Sequence, residues 1–470
     1  MRTKTSFFRI DNFFAWIAFF LSFITGFSCI SQDGQPGSEE GKDAERMRME
    51  RVMKQMERDP EGYRDSMKIV RNSSEEIKAL GRLKEYQSNS RIDTLETIDL
   101  SHMKLMEIPE FVFTASKLKI LILDHNKIRK LPKELVGLDS LKKIYWRANG
   151  LGELRPGIRR LPQLEKLSLS ENGLEKIPSL RRLKGLKILE LKQNAFAEIP
   201  IRKIRRNKEL KELSIGENPL KLGEERYEQL AHLKVLKVNK SDLTGFHPSI
   251  YSMIGLDEFQ LQENKLKVLP DGISKLKNLT KFSCYKNELE GLPTDFFALP
   301  KLRIVDLYYN NLEVIPAEFG NLDSLEVLYL SYNKIYSLPA ELGKLTQLKE
   351  LYIHHNRLSV LPAELDKLDK LRIVRTNSNY LTEFPNQFLR MERIEEIDVN
   401  SNDLTTLPSE LEQIETLTRI NFLENDIDLQ GSENLHISPM IDRMLKRGVI
   451  CLPRIYQSEF TSDSIEPGTE

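Results

Sequence analysis

A 23-residue period constrains this chain more than any other feature. The segment "LKILILDHNKIRKLPKELVGLDS" (118–140) returns as "LRIVDLYYNNLEVIPAEFGNLDS" (302–324) and "LEVLYLSYNKIYSLPAELGKLTQ" (325–347). Repeats start at Leu95, Leu118, Leu141, Leu164, Leu186, Leu210, Leu233, Leu256, Leu279, Leu302, Leu325, Leu348, Leu371, Ile394 and Leu417. The intervals are 23 residues, except for one of 22 and one of 24. A unit this short cannot bury its own leucines. Only stacking on its neighbours removes them from water, so the period excludes a single globular core and requires a solenoid.

Side-chain direction within one repeat follows from strand geometry. In LxxLxL the fourth and sixth residues point to one side, because side chains alternate along a strand. They form the core, and the third, fifth, seventh and eighth residues face solvent. The ninth residue is Asn at 126, 149, 172, 194, 218, 264, 287, 310, 333, 356, 379, 402 and 425, while Met103 and Ser241 interrupt the column. An amide has the donors and the acceptor to satisfy backbone groups of adjacent coils that would otherwise be buried unpaired. The dipeptides Leu131-Pro132 and Leu361-Pro362 set an extended return path. The repeat starting at Leu210 lacks such a pair, and its segment 218–232 has room for a helical turn.

The pattern LxxLxLxxNxLxxLPxxLxxLxx resembles the 23-residue class of leucine-rich repeats (LRR), from residue 95 to about 430. The resemblance implies an α/β solenoid horseshoe. A parallel β-sheet lines its concave face, short irregular or 3-10 segments form its convex face, and helical caps close both ends. At about 4.8 Å per strand the inner arc for fifteen strands is near 70 Å.

The two ends of the chain read differently from the middle. Residues 1–28 have Arg2, Lys4 and Arg9, followed by an apolar run from Phe13 to Phe27. That run is short for a membrane span and suits a signal peptide. With Ser28 before Cys29, the start resembles a bacterial lipoprotein signal, although Gly26 departs from the apolar residue usual three places before the cysteine. The resemblance implies cleavage before Cys29, a diacylglyceryl thioether on its sulfur and membrane attachment through that lipid. The alternative is an ordinary signal peptide or uncleaved anchor with an incidental cysteine. Residues 29–43 then form the lipidated cysteine and a flexible tether of Gly, Ser, Pro and acids.

Residues 44–94 read as a helical N-terminal cap. Met49, Val52, Met53 and Met56 form one apolar stripe, and Ile77, Leu80, Leu83 and Tyr86 form a second behind the capping-box pair Ser73 and Glu76. A partner-binding or coiled-coil helix is the other reading of these stripes. After the repeats (95–430), residues 431–456 form a C-terminal cap. "SPMIDRMLKRG" (438–448) reads as a helix with Ser438 as N-cap, and "VICLP" (449–453) as a strand covering the last sheet edge. Residues 457–470 read as a disordered tail.

Composition narrows the function. Seventy basic and seventy acidic side chains give a net charge of zero, which excludes a strongly basic nucleic-acid binder. Three cysteines exclude a disulfide scaffold, and neither an HExxH pair nor a GxxxxGK[ST] loop occurs. Cys284 and Cys451 fall six strand spacings apart, about 29 Å, too far for a disulfide, so both are expected as core thiols. Asp306 and Asp398 share the exposed face four repeats apart, about 19 Å, beyond the separation of paired glycosidase carboxylates. The roughly 40 residues after the repeats are too few for a catalytic domain. Neither an enzyme nor a cofactor is expected.

The exposed strand positions are not uniform along the stack. Early repeats carry mixed charge and serine, such as Lys143, Tyr145 and Arg147, then Lys166, Ser168 and Ser170. Lys119, Lys142 and Lys143 read as a solvated rim. Repeats nine to twelve carry Tyr285, then Asp306, Tyr308 and Tyr309, then Tyr329, Ser331 and Tyr332, then Glu350, Tyr352, His354 and His355. Exposed aromatics bury large area at low entropic cost and dominate protein-binding hot spots. This patch is therefore the candidate ligand-binding site. The competing readings are that the rings only stack between rungs, or serve self-association. His354 and His355 lack a third metal ligand.

Three functions follow. The first is an envelope-anchored, non-enzymatic LRR lipoprotein whose concave face binds a protein ligand, which similarity to bacterial adhesins extends to host proteins. The second is a cytosolic scaffold for a small GTPase, which resembles other proteins with this repeat. The third is a carbohydrate receptor.

Overall fold

The computed structural model describes residues 75 and 77–452, apart from 131, 155 and 162. The expected signal peptide, lipidated Cys29, tether, 44–58 helix and 457–470 tail all lie outside the described residues. Two compact units, residues 1–78 and 79–470, divide the chain, and the fold of interest is that of the second.

One three-residue strand arises per repeat. The first eight are β1 (Thr97–Asp99), β2 (Ile120–Ile122), β3 (Lys143–Tyr145), β4 (Lys166–Ser168), β5 (Ile188–Glu190), β6 (Glu212–Ser214), β7 (Val235–Lys237) and β8 (Glu258–Gln260). Then come β9 (Lys281–Ser283), β10 (Ile304–Asp306), β11 (Val327–Tyr329), β12 (Glu350–Tyr352), β13 (Ile373–Arg375), β14 (Glu396–Asp398), β15 (Arg419–Asn421) and β16 (Ile450–Leu452). They form one parallel sheet in sequence order that does not close on itself. Register follows the period: Val327 pairs with Glu350, and Glu350 with Ile373. The result is the horseshoe expected from the repeat, with the sheet on its concave face and 3-10 turns such as Ala317–Asn321 and Ala340–Lys344 on its convex face.

The fourth and sixth positions are buried as the alternation requires, for example Leu328 and Leu330 at 0% exposure. Trp146 occupies a sixth position, and its Nε1–H donates to the Ile128 carbonyl at 2.9 Å, so the largest core side chain buries no unpaired donor. Phe259, Phe282, Phe296, Phe297 and Phe319 form a chain of ring contacts through the core, with successive centroids 5.0–6.2 Å apart.

The asparagine column works as the amide chemistry demands. Asn310 Nδ2 donates to the carbonyls of Cys284 (3.1 Å) and Leu307 (3.0 Å), and its Oδ1 accepts from the Leu289 N–H at 3.0 Å. One side chain thereby ties two coils. Even where the column breaks, the next repeat compensates: Asn126 Oδ1 accepts from Met103 N, and Asn264 Oδ1 from Ser241 N.

The eighth position shows a regularity that the sequence did not. Its backbone is left-handed in all fifteen repeats, from His102 (φ 62°) to Glu424 (φ 54°). The chain needs this reversal to leave the strand and drop the following Asn into the core. Side chains of many kinds accept the associated steric cost there.

Gly343 shows how closely the convex turns pack. A Cβ there would lie 2.3 Å from the Glu364 carbonyl oxygen. The helical turn expected in 218–232 is the 3-10 turn Tyr227–Leu230, and a second turn, Ile201–Ile204 in the 24-residue repeat, is α-helical.

Both ends of the sheet are covered. Residues 79–88 are helical, with Ala79 buried and Leu83 and Tyr86 packed on the core, whereas Leu80, expected on that face, is exposed. The Tyr86 hydroxyl accepts from the Asp99 N–H of β1 at 3.1 Å. At the other end, helix Ile437–Lys446 and β16 cover β15. Ser438 lies inside this helix and not at its N-cap, which His436 occupies without a side-chain hydrogen bond. The helix closes with Gly448 at φ 89°, and the Gly448 and Val449 N–H groups donate to the Leu445 and Met444 carbonyls at 2.9 and 3.0 Å, a Schellman motif.

Cys284 and Cys451 are buried free thiols. Burial lifts the Cys284 thiol far above its ordinary range and pushes that of Cys451 up to about 11.

Candidate protein-binding face

The candidate residues sort into two ring assemblies and one isolated carboxylate. In the first, seventh- and eighth-position side chains of successive coils meet. Tyr308 contacts Tyr285 (centroids 5.5 Å), Tyr309 (4.7 Å), Tyr332 (5.0 Å) and His354 (6.0 Å). Tyr309 stacks on Tyr332 at 4.2 Å, and Tyr332 lies 4.1 Å from the His355 ring. The left-handed backbone at Tyr309, Tyr332 and His355 turns these rings along the stack rather than out from the strand.

The second assembly runs down the fifth-position column. Tyr329 stacks on Tyr352 at 4.7 Å with planes 13° apart, and the Arg375 guanidinium lies over the Tyr352 ring at 5.5 Å. The Tyr352 hydroxyl donates to Glu350 Oε2 at 2.9 Å. Asp306 joins neither assembly. Its Oδ2 accepts from Ser283 Oγ at 2.7 Å and its Oδ1 from the Tyr308 N–H at 3.3 Å.

Burial sets the protonation states. It raises the Tyr308 and Tyr352 hydroxyls well above the usual range, so both stay neutral and able to donate. It also lifts the Asp306 and Asp398 carboxyls above theirs. His354 is pushed down to about 3, first by burial and then by the neighbouring His355 and Arg375 charges. It is a neutral imidazole, with Nδ1 2.8 Å from Ser331 Oγ. Among the described residues, no three His, Cys, Asp or Glu side chains converge as a metal site would need.

The earlier part of the concave face contrasts with this ledge. Around the small residues Ser168, Ser170 and Ser214 lies a hollow of about 500 Å³. Its charges are already paired: Lys166 with Glu190 (2.6 Å), Lys237 with Glu212 (2.7 Å), Lys192 with Glu217 (2.9 Å), and Arg147 with Glu171. A partner here would have to desolvate pairs that already satisfy one another. On the ledge it meets pre-stacked rings, of which Tyr309 is 42% exposed.

Two of the three rim lysines, Lys119 and Lys142, each hold a carboxylate while remaining about half exposed. Lys142 (3.2 Å) and Lys187 (2.9 Å) flank Glu165, and Lys119 pairs with Glu96.

Arg375 and Ser283 were outside the expected patch, and Ser331 stood within it without a role of its own. Arg375 stands in the same fifth-position column as Tyr329 and Tyr352, one coil further on, so extending that column by one repeat would have found it. The two serines bond through rotamers that no spacing rule reports.

Leucine-rich-repeat family models match three stretches: a leucine-rich repeat region over residues 248–357, which contains the whole aromatic ledge, and leucine-rich repeats over 93–151 and 347–368. No curated protein matches the chain in sequence. Among solved structures, an LRR protein of Leptospira interrogans superposes with a TM-score of 0.65 at 28% identity, covering 77% of this chain and 97% of that one. A chain of the Toll–Spatzle complex of Drosophila superposes with a TM-score of 0.59 at 21% identity. The match covers 73% of this chain and 52% of that one, about half its length. Period, register, asparagine ladder and family matches agree on a leucine-rich-repeat horseshoe fold.

Proposed function

We propose that the chain is an envelope-anchored lipoprotein whose concave aromatic ledge binds a protein ligand, including ligands of host origin. The observation that carries the binding part is the ledge itself. Six rings of two residue columns, from Tyr285 to His355, are held in mutual contact before any partner arrives. Rings fixed in this way lose little further entropy on binding. The Toll–Spatzle complex supports the reading by analogy of fold: there an LRR chain holds a protein partner.

The anchoring part rests on the sequence before residue 30. An apolar run ending at Ser28-Cys29, followed by a polar tether, suits export and lipid attachment of the folded repeats. The intact mass of the N-terminal peptide from membrane and soluble fractions tests it. A lipid-modified Cys29 in the membrane fraction is the expected result. An unprocessed Met1 in the soluble fraction would move the chain to the cytosol and the GTPase-scaffold reading to first place.

A further inference from the structure

The cations of repeats three to five differ from those elsewhere on the fold. The segments 159–160, 181–184 and 202–208 read "RR", "RRLK" and "RKIRRNK". They occupy corresponding parts of consecutive coils: 159–160 end the 3-10 turn Pro156–Arg160, 181–184 precede β5, and 202–208 begin in the helical turn Ile201–Ile204 and run on toward β6. Arg160, Arg181, Lys184, Arg202, Arg206 and Lys208 are all exposed. Among the described residues none of the six makes an ion pair. By contrast, the cations in the second positions at 119, 142 and 187 each hold a carboxylate.

The arrangement is fixed in register and not left to side-chain drift. Asn207 is fully buried between the basic rungs, and its Nδ2 donates to the Leu180 carbonyl at 2.9 Å and the Leu183 carbonyl at 2.8 Å. The Leu180 N–H also donates to the Lys203 carbonyl at 2.9 Å. These bonds set the 181–184 cations beside the 206–208 cations. Between them lies a hollow of about 500 Å³ lined by Arg181, Lys184, Arg206 and Lys208, with Glu209 at its edge. On the next coil, burial and then the Lys208 charge hold His232 below its ordinary range.

We propose that this basic side of repeats three to five is a second binding site, distinct from the aromatic ledge, for a linear polysaccharide bearing sulfate or uronate groups. Arginine dominates the cluster, and its planar fork matches sulfate and carboxylate oxygens two at a time. The cations step from coil to coil, which suits a chain of regularly spaced anions.

Other anionic partners fit less well. Among the described residues between Val136 and Ile254 no large apolar side chain is exposed, so nothing here would insert into a bilayer. No exposed ring stands in the patch for a base to stack on, as single-stranded nucleic acid would require. Among the described residues of the patch the α-helical turn Ile201–Ile204 is too short to enter a DNA groove.

The test uses the full-length chain in detergent. Binding to heparin, polygalacturonate, a short DNA duplex and phosphatidylglycerol-doped micelles is measured against NaCl concentration. The expected result is tightest binding to heparin or polygalacturonate, falling steeply with salt. The variant Arg181→Glu/Arg206→Glu/Lys208→Glu should bind these about tenfold more weakly or worse. Reversal of the exposed Lys277 on another repeat should change affinity by less than about twofold. If the triple reversal lowers the melting temperature, Arg181→Gln/Arg206→Gln takes its place. Equal affinity of wild type and variant would overturn the proposal. So would DNA or micelles binding as tightly as the polysaccharides.

Discussion

Tyr309 and Tyr332 lie face to face, centroids 4.2 Å apart and planes 18° apart, and each holds a left-handed backbone, φ 55° and 54°. The two facts are linked. The reversal at the eighth position directs both side chains along the stack, where a one-coil offset brings the rings into contact. Tyr332→Asn should therefore remove a stacking contribution of about 0.5–1.5 kcal/mol while placing a residue tolerant of this backbone there. Tyr332→Val loses the same ring and adds a β-branched side chain to a left-handed site. Its urea midpoint should fall further, by a difference of about 1 kcal/mol. Equal midpoints would refute this account of the eighth position.

Alanine at Tyr308, Tyr329 and Tyr352 together should weaken the fold as well as any binding. Each of these rings contacts another, so roughly 1 kcal/mol per ring is at stake. Thermal melts of the three single variants and the triple variant measure it. A triple variant as stable as wild type would mean that the stacked rings contribute nothing to the solenoid.

The ladder position Asn310 serves two coils at once. Asn310→Ala leaves the Leu289 N–H and buried carbonyls unpaired, and should cost roughly 2–4 kcal/mol. Asn311→Ala, one residue on and outside the ladder, should cost under about 1 kcal/mol. Chemical denaturation of both variants decides this.

Acid sensitivity has a definite sign at His354. Its folded pKa, about 3, is depressed below the unfolded value near 6.5. Between these limits the unfolded chain binds the extra proton, so stability from the neutral imidazole is present above pH 6.5 and declines as pH falls toward 3. His125 and His232 are shifted in the same direction. The raised carboxyls Asp306 and Asp398 act oppositely, since there the folded chain holds its proton to higher pH. His354→Gln should flatten the loss of melting temperature between pH 6.5 and 4. An unchanged slope would show that His354 is not the buried neutral group described above.

Much of this fold was legible in the residues. A strict 23-residue period, apolar fourth and sixth positions and an asparagine ninth position leave one way to stack, and the sheet follows it from Thr97 to Asn421. Legibility ended where a property depends on rotamers or on backbone sign. Nothing in "DLYYN" or "YLSYN" announces that the second tyrosine of the first and the last of the other share a left-handed conformation. The alternating sign of Glu165, Lys187 and Lys142 was visible, yet only packing shows one carboxylate serving two lysines. The ten candidate residues were chosen as one patch, but a columnar fold separates the fifth-position stack of Tyr329, Tyr352 and Arg375 from the seventh- and eighth-position rings.

The close approach at Gly343 gives a convex-side prediction. With the Glu364 carbonyl 2.3 Å from a would-be Cβ, Gly343→Ala must push apart two 3-10 turns. The expected loss is about 1–3 kcal/mol. Gly291→Ala, where nothing lies within 4 Å of such a Cβ, should be nearly neutral. Comparable losses at both glycines would contradict the turn packing.

The central claim is that the aromatic ledge, and not the solenoid surface at large, receives a protein ligand. A photo-cross-linking phenylalanine placed at Tyr309, and separately at the exposed Tyr336 away from the strands, tests it most directly in intact cells with and without host extract. The account predicts a discrete protein adduct from position 309 that weakens when Tyr332→Asn is added, and none from position 336. Adducts of equal yield at both positions, or an adduct from 336 alone, would contradict it.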